Sequence, residues 1–96
     1  MHYVYILYSP GSDKYYVGQT EDIDQRLQYH NELSERSYTS KHRPWALVCK
    51  IEVPSRGVAM AMEGYIKGRK SRSYLKSLSA EEQARRRLLL RFGLKD

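Results

Sequence analysis

Five polar side chains in this 96-residue chain have the types and spacing to act on one substrate: Tyr5, Tyr16, Arg26, His30 and Glu63. A carboxylate such as Glu63 can hold a divalent cation, which acts as a Lewis acid on a phosphoryl oxygen and on the leaving oxygen. A guanidinium such as Arg26 stabilises charge building on phosphoryl oxygens. A phenol or an imidazole relays a proton to or from water. Phosphodiester hydrolysis draws on all of these functions. Singly, each residue has a plainer reading. A strand tyrosine is more often packing than chemistry. Arg26 can pair with Asp22 at i−4, and Glu63 with Lys67 at i+4 for about 0.2–0.5 kcal/mol. His30 can close a helix end, where it suits the dipole. The joint reading rests on a pattern that turns all five toward the core or its border.

The elements that must position them follow from periodicity. Residues 2–8 read as a strand with Tyr3, Tyr5 and Leu7 on one face and Val4, Ile6 and Tyr8 on the other. Pro10-Gly11-Ser12-Asp13 is a turn, and residues 15–20 return as the second strand of an antiparallel hairpin. If Tyr8 pairs with Tyr15, Tyr5 lies opposite Gly18 and Leu7 opposite Tyr16. The two phenols then share a face, with open space at Gly18; a slip by one residue would separate them. Thr20 or Asp22 caps a helix running to about Leu33, with Ile23 and Leu27 on its apolar stripe and Arg26 and His30 on the adjoining strip. Residues 34–44 read as a polar connection ending in Lys41-His42-Arg43.

Trp45 to Val53 is a third strand, stopped by Pro54. Ser55 caps a helix over about 56–69, whose stripe is Val58, Ala61, Met62, Tyr65 and Ile66, with Glu63 on its border. A further short helix can begin within Ser71–Lys76. Ser79-Ala80-Glu81-Glu82 reads as a capping box opening a last helix to about Arg91, with Gly93 as its stop. Arg85, Arg86, Arg87 and Arg91 make that helix basic, a pattern that is most often a solvated face. The order β-β-α-β-α-α describes an α+β fold, a small, mainly antiparallel three-stranded sheet flanked by helices. One domain over residues 1–96 is expected, with its core in about 2–76 and the basic helix over about 80–91.

Composition narrows the class. The lone Cys49 excludes an intrachain disulfide and a zinc cluster built on cysteines. No apolar run approaches the roughly 18–20 residues of a membrane span, and the N-terminus lacks a signal pattern, so a soluble cytoplasmic protein with no membrane partner is expected. Seventeen Lys and Arg against 11 Asp and Glu give a net charge of +6, suited to a polyanion.

In this setting the chain resembles the GIY-YIG nuclease superfamily, in its small single-domain, bacterial-type branch. Tyr3-Val4-Tyr5 stands where the family's Gly-Ile-Tyr sits, and Tyr16-Val17-Gly18 where its Tyr-Ile-Gly sits. Gln19-Thr20, Asp22-Ile23, Arg26-Leu27 and His30-Asn31 match the usual continuation. Tyr38-Thr39, Arg43-Pro44 and Glu63 with Ile66-Lys67 follow in order, so the likeness covers about residues 2–76. It implies an endonuclease acting on DNA through one Mg²⁺ or Mn²⁺ held by Glu63, with RNA also open. Tyr5 and Tyr16 would activate water or relay a proton, Arg26 would stabilise the transition-state phosphate, and His30 would contact phosphate or share in proton transfer. Lys14, Lys41, Arg43, Lys67 and Lys70 would border the nucleic-acid groove. Shape-selective cutting of branched, damaged or flap DNA is the expected mode. Two departures stand out: the motif's leading Gly is Tyr3, and the only asparagine is Asn31, where some members carry one late in the domain. A second reading therefore stands beside the first, a nucleic-acid-binding module with weak or no catalysis.

Overall fold

β1 (His2–Ser9) does not show the alternation of a half-buried strand, because Val4, Tyr5, Ile6 and Leu7 are all buried. Unbroken burial means that both faces of the strand are covered. The computed structural model, which describes residues 1–33, 35 and 37–94, shows how. β1 is the middle strand of a three-stranded antiparallel sheet, between β2 (Lys14–Thr20) and β3 (Ala46–Val53). Tyr8 pairs with Tyr15, Tyr5 with Gly18 and Leu7 with Tyr16, so the hairpin has the register expected from its loop length. A bulge in the β1–β3 pairing sets Ile6 opposite Cys49 but Leu7 opposite Leu47. Leu47 and Cys49 consequently face opposite sides of the sheet, although their spacing would put them on one.

One face holds the larger core. Val4, Ile6, Val17, Cys49, Ile51 and Val53 pack against Ala59, Met62 and Ile66 of α3 (Arg56–Gly68), Leu78 of α4 (Arg72–Ala80), and Ala84 and Leu88 of α5 (Glu82–Arg91). Ser55 caps α3 by accepting from the Val58 amide, as its position suggested. Cys49 is buried, and burial pushes its thiol up to about 11, so it packs as a small apolar group. The other face carries a smaller core of Tyr5, Leu7 and Trp45, with Tyr16 and Leu47 from the sheet and Ile23 and Leu27 from α1 (Ile23–Gln28). The hairpin tip is tied to the helical layer by Asp13, which adopts a left-handed φ of 53°. Its carboxylate accepts from the Tyr8 hydroxyl at 2.6 Å and pairs with Arg72 of α4.

The helices differ from the sequence reading in three places. Asp22 does cap α1, but the helix does not continue regularly to Leu33: Tyr29–Leu33 is wound as a π-helix. The connection over 34–44 contains a short helix, α2 (Tyr38–Lys41), whose cap Ser37 and third residue Ser40 hold each other's backbone amides; Ser34 and Arg36 of that connection lie outside the described residues. Ser79 is not a cap. It sits inside α4, which runs on to Ala80, and its hydroxyl donates to the Leu75 carbonyl at 2.8 Å. α5 opens after Glu81 with no side-chain cap. The buried Leu78 explains the difference, since α4 must extend past it to dock it, and that burial outweighs a local capping box. Among the described residues, no helix is long and apolar enough to cross a membrane.

Met62 is wholly buried between α3 and the sheet, whereas Met60 is 52% exposed on the same helix. Met62→Ala is expected to lower the unfolding free energy by about 2–5 kcal/mol, and Met60→Ala to change it by less than about 0.5 kcal/mol. Denaturant titration checks both; similar values for the two would refute this docking face.

Candidate active site

Gly18 sets the geometry. A Cβ there would lie 2.5 Å from the Tyr5 hydroxyl and 2.6 Å from its Cζ, so the phenol occupies the space that a side chain would take. The open space expected beside the two tyrosines is thus filled by one of them. From there the Tyr5 hydroxyl meets His30 Nε2 at 2.9 Å, and the other ring nitrogen, Nδ1, meets Thr39 Oγ1 of α2 at 2.9 Å. Ser37 Oγ lies 3.1 Å from the same threonine hydroxyl. The π-helical turn that bears His30 is held from behind by Arg43, whose Nε–H donates to the His30 carbonyl at 2.9 Å. Trp45 Nε1–H donates to the Thr39 carbonyl at 2.7 Å, and the Asn31 side chain brackets the Trp45 backbone with bonds of 3.0 and 2.6 Å.

His30 is 2% exposed. Burial, then the Arg26 charge, pull its pKa down to about 4, so the ring is neutral near pH 7. Tyr5 is pushed up to about 12, by burial first and by Tyr16 next; a hydrogen bond from Arg26 opposes the rise. With Arg26 donating to the phenol oxygen, the Tyr5 O–H is best used on His30 Nε2, which leaves Nδ1–H to donate to Thr39. Tyr16 stands against this chain, its ring centroid 4.8 Å from that of His30 and 6.4 Å from that of Tyr5. Tyr16, Arg26, His30 and Thr39, together with Tyr29 and Tyr38, line an open hollow of about 210 Å³. Arg26 is exposed, with its guanidinium 4.5 Å from the Tyr29 ring centre.

Glu63 comes from the opposite helical layer. β2 is an edge strand, and α3 lies along it, so that Ile66 and Lys67 share a cleft with Tyr15, Tyr16 and Val17. The Glu63 carboxylate pairs with Lys67 at 2.6 Å, and Lys67 Nζ lies 5.9 Å from the Tyr16 ring centre. The Glu63 charge also contributes to the rise at Tyr5. The fold therefore joins Tyr5, Tyr16, Arg26 and His30 on one face and brings Glu63 to them past the sheet edge. Of the basic residues expected at the rim, Lys14, Lys67 and Lys70 line that cleft, of about 340 Å³, together with Arg72. Lys41 is exposed on α2 and lines neither hollow nor cleft. Arg43 braces His30, a structural task that its place in a basic run did not reveal. Thr39 was also missed as a site residue, because its tie to His30 needs a helix that the polar stretch around it disguises.

A family model for the GIY-YIG catalytic domain matches residues 1–76. The UPF0213 protein BH0048 of Halalkalibacterium halodurans is 35% identical over 79 residues, which cover 80% of this chain and 83% of that protein. The solution NMR structure of the UPF0213 protein BH0048 from Bacillus halodurans is similar with a TM-score of 0.51 and 32% identity, over 88% of this chain and 90% of that one. The chain belongs to the GIY-YIG family of nucleases.

Two outcomes follow from the buried chain of hydrogen bonds. Gly18→Ala must displace the Tyr5 ring, so a loss of about 1–3 kcal/mol is expected, with the Tyr5–His30 bond broken; denaturation and the His30 ring signals in NMR report both. For His30 the unfolded chain takes up a proton near pH 6.5 and the folded chain only near pH 4. This group's contribution is thus present above pH 6.5 and lost as pH falls through that window. The unfolding midpoint of the wild type should fall more steeply from pH 6.5 to 4 than that of His30→Gln; parallel curves would refute the neutral buried imidazole.

Proposed function

We propose that the protein is an endonuclease that hydrolyses phosphodiester bonds of DNA with the help of one divalent ion, Mg²⁺ or Mn²⁺, bound at Glu63. The observation that carries this reading is the meeting of Tyr16, Arg26 and His30 in one open hollow, with Lys67, the ion-pair partner of Glu63, near the same Tyr16 ring. Nucleases of this family are in general dependent on divalent metals. The donor set suits such an ion in kind: one half-buried carboxylate matches magnesium, which keeps most of its waters. When bound, the ion supplies Lewis-acid stabilisation to the phosphoryl and leaving oxygens.

The chain's own side chains divide the remaining work. Tyr16 lines both hollow and cleft and its hydroxyl has no hydrogen-bond partner among the described residues, so it is the phenol available to receive the proton of the attacking water as its own O–H proton passes to solvent. Tyr5, engaged by His30 and Arg26, is the poorer base and serves to position Arg26. Arg26 neutralises charge on the phosphoryl oxygens as water adds and the P–O bond to the leaving group breaks. His30 is a neutral bridge in this scheme, suited to proton sharing with Tyr5 and not to direct phosphate binding. Lys14, Lys67 and Lys70 contact the backbone as point charges, which favours selection by strand shape over base sequence.

One observation favours the second reading, a nucleic-acid-binding module with little or no turnover. Glu63 is already paired with Lys67, and no group of three His, Cys, Asp or Glu side chains stands ready for a metal among the described residues. Incubation with duplex, flap and branched DNA and with RNA, each with Mg²⁺, Mn²⁺ or EDTA, separates the two. Metal-dependent DNA cleavage that drops by ~100-fold or more in Glu63→Gln, Tyr16→Phe and Arg26→Gln is expected. Cleavage that survives these changes sinks the assignment, and salt-sensitive binding by the wild type without turnover establishes the module.

A further inference from the structure

The arginines of α5 do not act as one solvated face. Arg85 donates to the Leu78 carbonyl at 2.7 Å, and Arg86 pairs with Glu82. Arg87 and Arg91, four residues apart and so on one side of the helix, turn instead toward Arg69 at the end of α3. The three line a hollow of about 310 Å³ with Tyr65, Tyr74 and Ser77. The Arg69 guanidinium lies 4.2 Å from the Tyr74 ring centre and donates to the Tyr65 hydroxyl at 3.1 Å, and that of Arg91 lies 4.5 Å from the Tyr65 ring centre. All three positive charges act on the Tyr74 phenol. None of them has a carboxylate partner among the described residues, whereas Arg72, Arg86 and Lys67 each have one.

Three converging, unneutralised guanidiniums repel one another, and an anion seated between them relieves that repulsion. Aromatic rings brace Arg69 and Arg91, and a guanidinium braced in this way can still make the paired bonds that phosphate oxygens accept. The volume is at the lower end of ligand-sized pockets, roughly 300–1,000 Å³, and exceeds what a bare inorganic ion requires. On α3, Tyr65 lies about 160° round the helix from Glu63, so this hollow is on the far side of α3 from the candidate active site. We propose that Arg69, Arg87 and Arg91 form a second phosphate-binding site that takes the backbone of a nucleic acid, at a stretch separate from the one presented to Tyr16 and Glu63. The choice of nucleic acid as ligand rests on the function proposed above; the site itself rests on its own residues.

The test is binding of a fluorescently labelled DNA duplex in EDTA across a range of salt, followed by anisotropy. Arg87→Gln with Arg91→Gln is expected to weaken binding by ~10-fold and to lower the slope of log K against log salt by about 1–2, at about 0.9 per phosphate contact. Arg86→Gln, which removes one equal charge from the same helix, should shift both by clearly less than Arg87→Gln alone. Circular dichroism confirms that each variant is folded, since all three side chains are exposed. A double variant with the affinity and slope of the wild type overturns the proposal, as does an Arg86→Gln effect equal to that of Arg87→Gln. Titration with inorganic phosphate, read on the arginine Nε–H signals, distinguishes the source: if phosphate moves Arg69, Arg87 and Arg91 while duplex binding ignores their loss, the site serves a small phosphorylated ligand and the nucleic-acid proposal falls. Cleavage assays on the same DNA keep the two readings apart. A protein that binds through these arginines but never cuts refutes the nuclease alone, and one that cuts while ignoring their loss refutes the second site alone.

Discussion

The contact of the Tyr5 hydroxyl with the bare backbone of Gly18 constrains most of what surrounds the candidate site. A phenol directed across its own hairpin has to end somewhere, and burial would leave its O–H unpaired without a partner at that point. His30 is that partner, at 2.9 Å, and it too is buried. A buried imidazole needs both nitrogens satisfied, so Thr39 must be close, which in turn requires α2 and the bonds from Trp45 and Arg43 that hold the segment in place. The buried side-chain nitrogens and oxygens among the described residues all find partners. A satisfied polar chain of this kind acts as a rigid unit, while losing any member leaves the others unpaired in an apolar setting.

α3 plays a different part, as the wall between two charged surfaces. Its Glu63 and Lys67 side meets the sheet edge at Tyr16, and its Tyr65 and Arg69 side meets α4 and α5. The intervening face, with Ala59, Met62 and Ile66, supplies the burial that fixes the helix. Exposed ion pairs contribute about 0–1 kcal/mol each, so the apolar face carries the stability and leaves the charged sides available for binding. Part of the basic surface is thus gathered in a lysine-lined cleft on one side of the helix and an arginine-lined hollow on the other.

Legibility from sequence follows the range of the interactions involved. The hairpin register was readable because a turn of Pro, Gly, Ser and Asp limits the pairing, and that alone puts Tyr5 and Tyr16 on one face. Helix caps at Asp22 and Ser55 were readable because they are local hydrogen bonds. What depended on distant packing was not. The π-helical turn at His30 exists in company with Thr39 and Arg43, and α2 hides in a stretch with little apolar signal. The motif at Ser79 looked like a cap because the docking of Leu78, which overrides it, is a tertiary effect. The arginine run shows the same limit. Composition gives its sign, but only the packing of α5 against α3 and α4 separates Arg85 and Arg86 from Arg87 and Arg91.

The two tyrosines show how one residue type is split by environment into two tasks. Burial beside Gly18 raises Tyr5 to about 12, and its proton is already committed to a neutral imidazole. Ionising Tyr5 would leave negative charge in an apolar pocket with one guanidinium to answer it, so the hydroxyl is better suited to fixing Arg26 than to taking a proton. Tyr16 lies across the ring stack, half-buried, where hollow and cleft meet. In the proposed reaction two phenols on one face of the sheet therefore divide the work: Tyr5 holds the site together and Tyr16 meets the water.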